Sequence, residues 1–189
     1  MPRDPREAIA FGLAMSHDDT FVDVGFCLRT VRTMYNVDAL FLDAAEAWEG
    51  AKTRHPVDSG DDVPRGAPVF WDGGSRGLGH VALSVGGGIC LSTDFHRAGF
   101  VDLARIDTIS SVWPVSLRGY TEDLNGVRVF SVPAALGTAH PDDRTRGERV
   151  DYAIRLLAKA RKRSIRRDKT KRARKITAAL HRLRDIENT

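Results

Sequence analysis

Cys27 and His80 are the residues of this sequence whose types and surroundings fit nucleophilic chemistry. Cys27 stands in Gly25-Phe26-Cys27-Leu28-Arg29, where a loop turns into a helix. A helix N-terminus carries partial positive charge and unpaired N–H groups, so it stabilises a thiolate and lowers its pKa. The same N–H groups suit the oxyanion that forms when a thiolate attacks a carbonyl. His80 follows a glycine-rich turn and opens a strand, which places the imidazole at a sheet edge within reach of a helix end. A thiol needs a base to become a strong nucleophile, and free imidazole titrates at about 6.5. Taken singly, a cysteine at a helix start reads as a small buried hydrophobe and a lone histidine as a satisfied one. The surrounding segments decide the matter.

Those segments must position the pair. Residues 5–15 place Ala8, Ile9, Leu13 and Met15 near a helical stripe, weakened by Gly12. Leu28, Val31, Met34 and Tyr35 repeat at helical spacing over 25–37, with Asn36 as the stop. A third helix is expected over 38–52, from Leu40, Ala44, Ala47, Trp48 and Ala51. A loop rich in Pro, Gly and Asp spans about 54–66. Strands then follow over 67–71, 79–85 and 89–94, the last two joined by Gly86-Gly87-Gly88. Two further strands, 116–123 and 126–132, meet at Asn125-Gly126, a strong hairpin signal. Helices first and an antiparallel sheet second read as α+β.

The order of these segments resembles the papain-like cell-wall peptidases and amidases of the NlpC and CHAP types. It is closest to the cysteine-peptidase modules of actinobacterial phage endolysins. The residues that carry the likeness are Gly25-Phe26-Cys27-Leu28-Arg29, Pro64-Arg65-Gly66-Ala67-Pro68-Val69-Phe70-Trp71, Gly79-His80-Val81-Ala82-Leu83, Ser92-Thr93-Asp94 and Gly119 to Gly126. The likeness covers roughly residues 5–130. It implies a papain-like fold, with Cys27 as nucleophile, His80 as general base and a polar residue on the following strand orienting the imidazole. Asp94 is the favoured orienting residue, since a carboxylate fixes the tautomer and stabilises the imidazolium. Ser92, Asp102 and Asn125 are its alternatives. Ser92 also departs from the family pattern, because NlpC-type enzymes often carry a second His at that position. Trp71 and Ser92 are the candidate substrate-binding residues. The implied activity is a peptidoglycan hydrolase, a cysteine endopeptidase or amidase acting on a stem-peptide amide, with no metal or organic cofactor required.

Other residues read as structural. Cys90, inside a strand, is expected to pack in the core or the cleft wall; a Cys27–Cys90 disulfide would silence the site. Trp48 reads as core, and Asp72 and Arg76 as solvated loop charges. Glu122 and Asp123 are adjacent on a strand and point to opposite faces, which argues against a glycosidase couple. Two cysteines, with no C-x-x-C pair, argue against a disulfide scaffold or a zinc site.

The charge is divided. Residues 1–145 hold 13 Lys+Arg and 20 Asp+Glu, a net of −7, whereas 146–189 hold 16 and 5, a net of +11. The expected organisation is a domain over 1–130, a linker over 131–147 and a basic helical tail over 148–189. Such a tail fits an anionic wall polymer, a membrane surface or other virion subunits. Nucleic acid ranks below these, since Tyr152 is the tail's one aromatic and offers no stacking platform. No stretch reaches the roughly 18 apolar residues of a membrane span, and the first residues lack a signal-peptide pattern. The expected site of action is the bacterial cell wall, reached through a lysis partner or a virion. The rival readings are a non-catalytic virion structural or attachment protein that keeps the fold, and a polyanion- or nucleic-acid-binding protein acting through the tail.

Overall fold

The computed structural model describes residues 1–74 and 76–132. The basic tail, and the linker beyond Val132, lie outside the described residues. The described part is α+β, with helices α1 (Pro5–His17), α2 (Cys27–Tyr35), α3 (Ala44–Glu49) and α4 (Ile106–Val112). Its strands are β1 (Arg54–Pro56), β2 (Pro68–Gly73), β3 (His80–Gly86), β4 (Ile89–Thr93), β5 (Val101–Arg105), β6 (Val115–Thr121), β7 (Asp123–Leu124) and β8 (Val127–Arg128). Six of them form one antiparallel sheet in the order β1-β6-β2-β3-β4-β5. Among the described residues no helix is long and apolar enough to cross a membrane.

Local chemistry explains the helix ends. Asp4 caps α1 by accepting from the Arg6 and Glu7 amides, Glu7 reaches back to the Asp4 amide, and Pro5 occupies the first turn. Asn36 ends α2 in the left-handed conformation, φ 56°. The third helix is shorter than expected, because Asp43 caps it at Ala44 by accepting from the Glu46 amide. Leu40, counted in the expected stripe, stands 63% exposed outside it.

Alternation along the strands builds two faces. Phe70, Val81, Leu83 and Leu91 point toward α1–α3: Trp48 of α3 lies against Phe70, ring centroids 5.6 Å apart. The helices come so close here that a Cβ on Gly12 would sit 2.8 Å from Leu91 and 3.0 Å from the Met34 sulfur. The other face carries Trp71, His80, Cys90 and Ser92, with Trp113, just past α4, packed on His80. Tyr35 is fully buried and donates its hydroxyl to the Gly66 carbonyl at 2.6 Å, tying α2 to the approach of β2.

Three elements escape the sequence pattern. β1 falls in the stretch expected to be loop; it pairs along β6, and Pro56 is tolerated because the strand is an edge. β5 and α4 occupy 101–112, where Asp102 and Arg105 blur any apolar alternation and pairing with β4 decides the strand. The hairpin at Asn125-Gly126 forms as expected, with φ of 50° and 76°, but its strands β7 and β8 are two residues each.

Gly12→Val is expected to lower stability by about 1–3 kcal/mol through overpacking. Urea denaturation checks it, the midpoint falling with an unchanged slope.

Candidate active site

The site is built where α2 begins and β3 begins. Cys27 is the first residue of α2 and His80 the first of β3, and both line one cleft of about 270 Å³. Gly79 makes the approach possible. It holds φ +66°, and a Cβ there would lie 2.7 Å from the Trp71 carbonyl oxygen and 3.3 Å from the Ala45 amide.

His80 is buried, with its ring against Trp71 and edge-on to Trp113, centroids 5.5 and 5.1 Å apart. Its Nε2 lies 2.9 Å from Ser92 Oγ. The ladder explains this pair. Leu83 faces Leu91 and Ser84 faces Cys90, so the register carried on sets Ala82 opposite Ser92 and leaves His80 on the diagonal, on the same face. The Ser92 hydroxyl donates to the Thr93 carbonyl at 3.2 Å. That spends its single proton, so toward the imidazole the oxygen accepts. On this pattern we assign the neutral ring its proton on Nε2, which leaves the lone pair on Nδ1.

Asp94 is not the imidazole's partner. β4 ends at Thr93, and Asp94 turns into the left-handed region, φ 63°, which takes it out of the strand's alternation. Its carboxylate instead accepts from the Gly25 amide at 2.9 Å and the Gly99 amide at 2.7 Å. It thus holds the loop leading into Cys27. Asp102 is engaged elsewhere, in a two-point pair with Arg97 at 2.6 and 3.0 Å. Asn125 sits in the β7–β8 turn and donates to the Asp38 carbonyl.

The substrate-binding expectations are corrected in the same way. Trp71 is 1% exposed, a core residue opposite His80 in the β2–β3 ladder and not a cleft surface. Ser92 is fully buried behind the imidazole, out of reach of a substrate. Trp113 was not legible, because 106–113 gave no element to place it on. Cys90 is free and buried, its thiol donating to the Ala104 carbonyl at 3.5 Å. Glu122 pairs with His55 and Arg128, while the Asp123 carboxylate accepts from the Lys52 and Thr53 amides. These two carboxylates serve different structural partners. Among the described residues no group of three or more His, Cys, Asp or Glu is placed to hold a metal ion.

The electrostatics differ from the expectation of a lowered thiol pKa. Burial pushes the Cys27 thiol up to about 11 and outweighs the backbone N–H groups of Val81, Leu28 and Cys27 itself, which lower it; the Asp94 charge raises it further. Burial also pushes His80 down to about 4. The resting pair is a neutral thiol and a neutral imidazole.

Three outcomes follow from this geometry. Below its pKa the thiolate fraction grows roughly tenfold per pH unit, so Cys27 alkylation by iodoacetamide should climb without a plateau from about pH 6 to about pH 9.5. A rate flat across that range would show an ion pair already formed. Ser92→Ala leaves the buried Nε2–H unpaired and should cost about 1–3 kcal/mol in urea denaturation. In the parent, nitrogen NMR of His80 should report the Nε2–H tautomer, and the Nδ1–H form would refute the assignment.

Compared with known proteins, the chain matches no family model, no curated protein and no solved structure.

Proposed function

We propose that this chain is a cysteine-dependent amide hydrolase of papain-like type, acting on the stem peptide of bacterial peptidoglycan. The observation that carries the reading is the opening of Cys27, at the head of α2, and the Ser92-backed His80 onto one cleft. The choice of peptidoglycan, and the setting of phage lysis or a virion, rest on the resemblance of the motifs around Cys27 and His80.

In this reading Cys27 transfers its proton to His80 Nδ1 as the sulfur attacks the amide carbonyl carbon. The carbonyl π pair moves onto oxygen, where the Cys27 backbone N–H donates to it. The pair returns, the C–N bond breaks, and His80 gives the proton to the departing amine. Water then loses a proton to His80 and attacks the thioester, the C–S bond breaks, and the thiol recovers its proton. Ser92 keeps the ring turned so that Nδ1 faces this exchange, and accepts from Nε2–H in both protonation states. Asp94 acts through the Gly25 amide as a positioning residue for the nucleophile's loop.

A second reading has its own observation. With the thiol raised to about 11 and the imidazole lowered to about 4, proton transfer between them is strongly uphill. That favours a virion structural or attachment protein which keeps the fold without turnover.

Soluble fragments released from purified actinobacterial peptidoglycan separate the two. The parent should release fragments and Cys27→Ala and His80→Ala should release none, with mass spectrometry naming the bond. Equal release by parent and Cys27→Ala would displace the site. Release by none of them, across several wall types, would overturn the hydrolase reading and put the structural one first.

A further inference from the structure

The cleft's one cation among the described residues is Arg76, on the turn between β2 and β3. It has no carboxylate within ion-pair distance among the described residues, while other arginines near the site are committed. Arg97 is held by Asp19 and Asp102, and Arg29 by Asp23 with its guanidinium over Phe26, 4.1 Å from the ring centroid. The cleft's one carboxylate is also committed, since both oxygens of Asp94 accept backbone amides at 2.9 and 2.7 Å. The wall around these groups is otherwise apolar or backbone, including Val24, 58% exposed, and Leu78, 39% exposed. A guanidinium lining the same cleft as the nucleophile, where the one carboxylate is already committed, offers a planar fork to a carboxylate.

We propose that Arg76 selects the substrate, seating a free carboxylate next to the amide that Cys27 attacks, so that the preferred substrates are acidic peptides. This deepens the hydrolase reading and rests on it for the amide, but not for the charge recognition. Arg76 is a specificity residue in this scheme and takes no part in proton transfer. A turn carries it, so the cation can be exchanged without touching the ladder that holds His80.

Two alkylating agents of nearly the same size test the charge recognition without turnover. Iodoacetate carries the carboxylate and iodoacetamide is its neutral counterpart. Rates at Cys27 are measured on the full chain by peptide mass spectrometry, which separates it from Cys90. The iodoacetate-to-iodoacetamide rate ratio should exceed that of free cysteine by about tenfold, as expected of a fixed cation steering an anion. The ratio should drop to the free-cysteine value in Arg76→Gln, persist in part in Arg76→Lys, and shrink with added salt. Because both agents react with the same thiolate, the ratio cancels any change in thiolate fraction among the variants, and a measurable iodoacetamide rate in each verifies that the cleft is intact. A ratio unchanged by Arg76→Gln, or no higher in the parent than in free cysteine, overturns the proposal. Failure of the hydrolase reading would show separately, as a raised ratio in a protein that releases no wall fragments.

Discussion

The candidate site depends on the grip that the turn after β4 keeps on the segment before α2. Asp94, in the left-handed conformation, ties the Gly25 and Gly99 amides with one carboxylate. The Val22 amide donates to the Gly99 carbonyl at 2.9 Å, and Arg97 bonds Asp19 at 2.7 Å. Phe21 lies edge-on to Phe100, centroids 5.7 Å apart. A backbone amide donating to an ionised carboxylate is among the stronger hydrogen bonds, and its geometry is set without a long side chain's entropy. Cys27 follows Gly25 by two residues, so its place relative to the sheet is inherited from these contacts. Without them α2 would still pack through Leu28, Val31 and Met34, but its first residue would be loosely aimed.

The imidazole is held by a different device. Trp71 and Trp113 enclose its ring, and Ser92 accepts from its far nitrogen. Precision and basicity are in opposition here. The burial that fixes the ring also removes the water that would stabilise its charged form, which is why its pKa falls to about 4. The thiol meets the same desolvation with the opposite sign, and three backbone N–H groups only partly offset it. Ser92 is suited to this balance. A hydroxyl orients the ring without placing a second full charge in a buried position, a cost that a carboxylate at the same point would carry.

The core covers both faces of one sheet, and the cleft opens where α2 and β3 begin. The apolar face of Phe70, Val81, Leu83 and Leu91 receives α1–α3, while the face with His80 and Ser92 meets Trp113 and the approach to α4. The His80 nitrogen is met within the β3–β4 pair by Ser92, whereas the buried Trp71 Nε1 and Thr93 Oγ1 have no hydrogen-bond partner among the described residues. At Gly79 and Gly12 helices and sheet approach closely because neither carries a Cβ.

Much of this was legible in the residues themselves. Periodicity marks α1 and α2 with Asn36 as the stop of α2, apolar runs bounded by glycine turns mark β2, β3 and β4, and Asn125-Gly126 marks its hairpin, because each depends on interactions within a few residues. The helix start at Cys27 and the strand start at His80 were legible too, and the two residues line one cleft. The orienting residue was not. In the strand text Asp94 has the better chemistry and the right parity, yet the strand ends one residue before it, and only the chain's return toward Gly25 makes that ending favourable. Ser92 gains its role from the β3–β4 register, and Trp71 loses its exposed role to the β6 strand and Trp113 that close over it. The sequence by itself determined which side chains were available and which local elements carried them. Tertiary structure alone decided which of them meet, because ladder register and the burial of each group are sums over contacts between residues far apart in the chain.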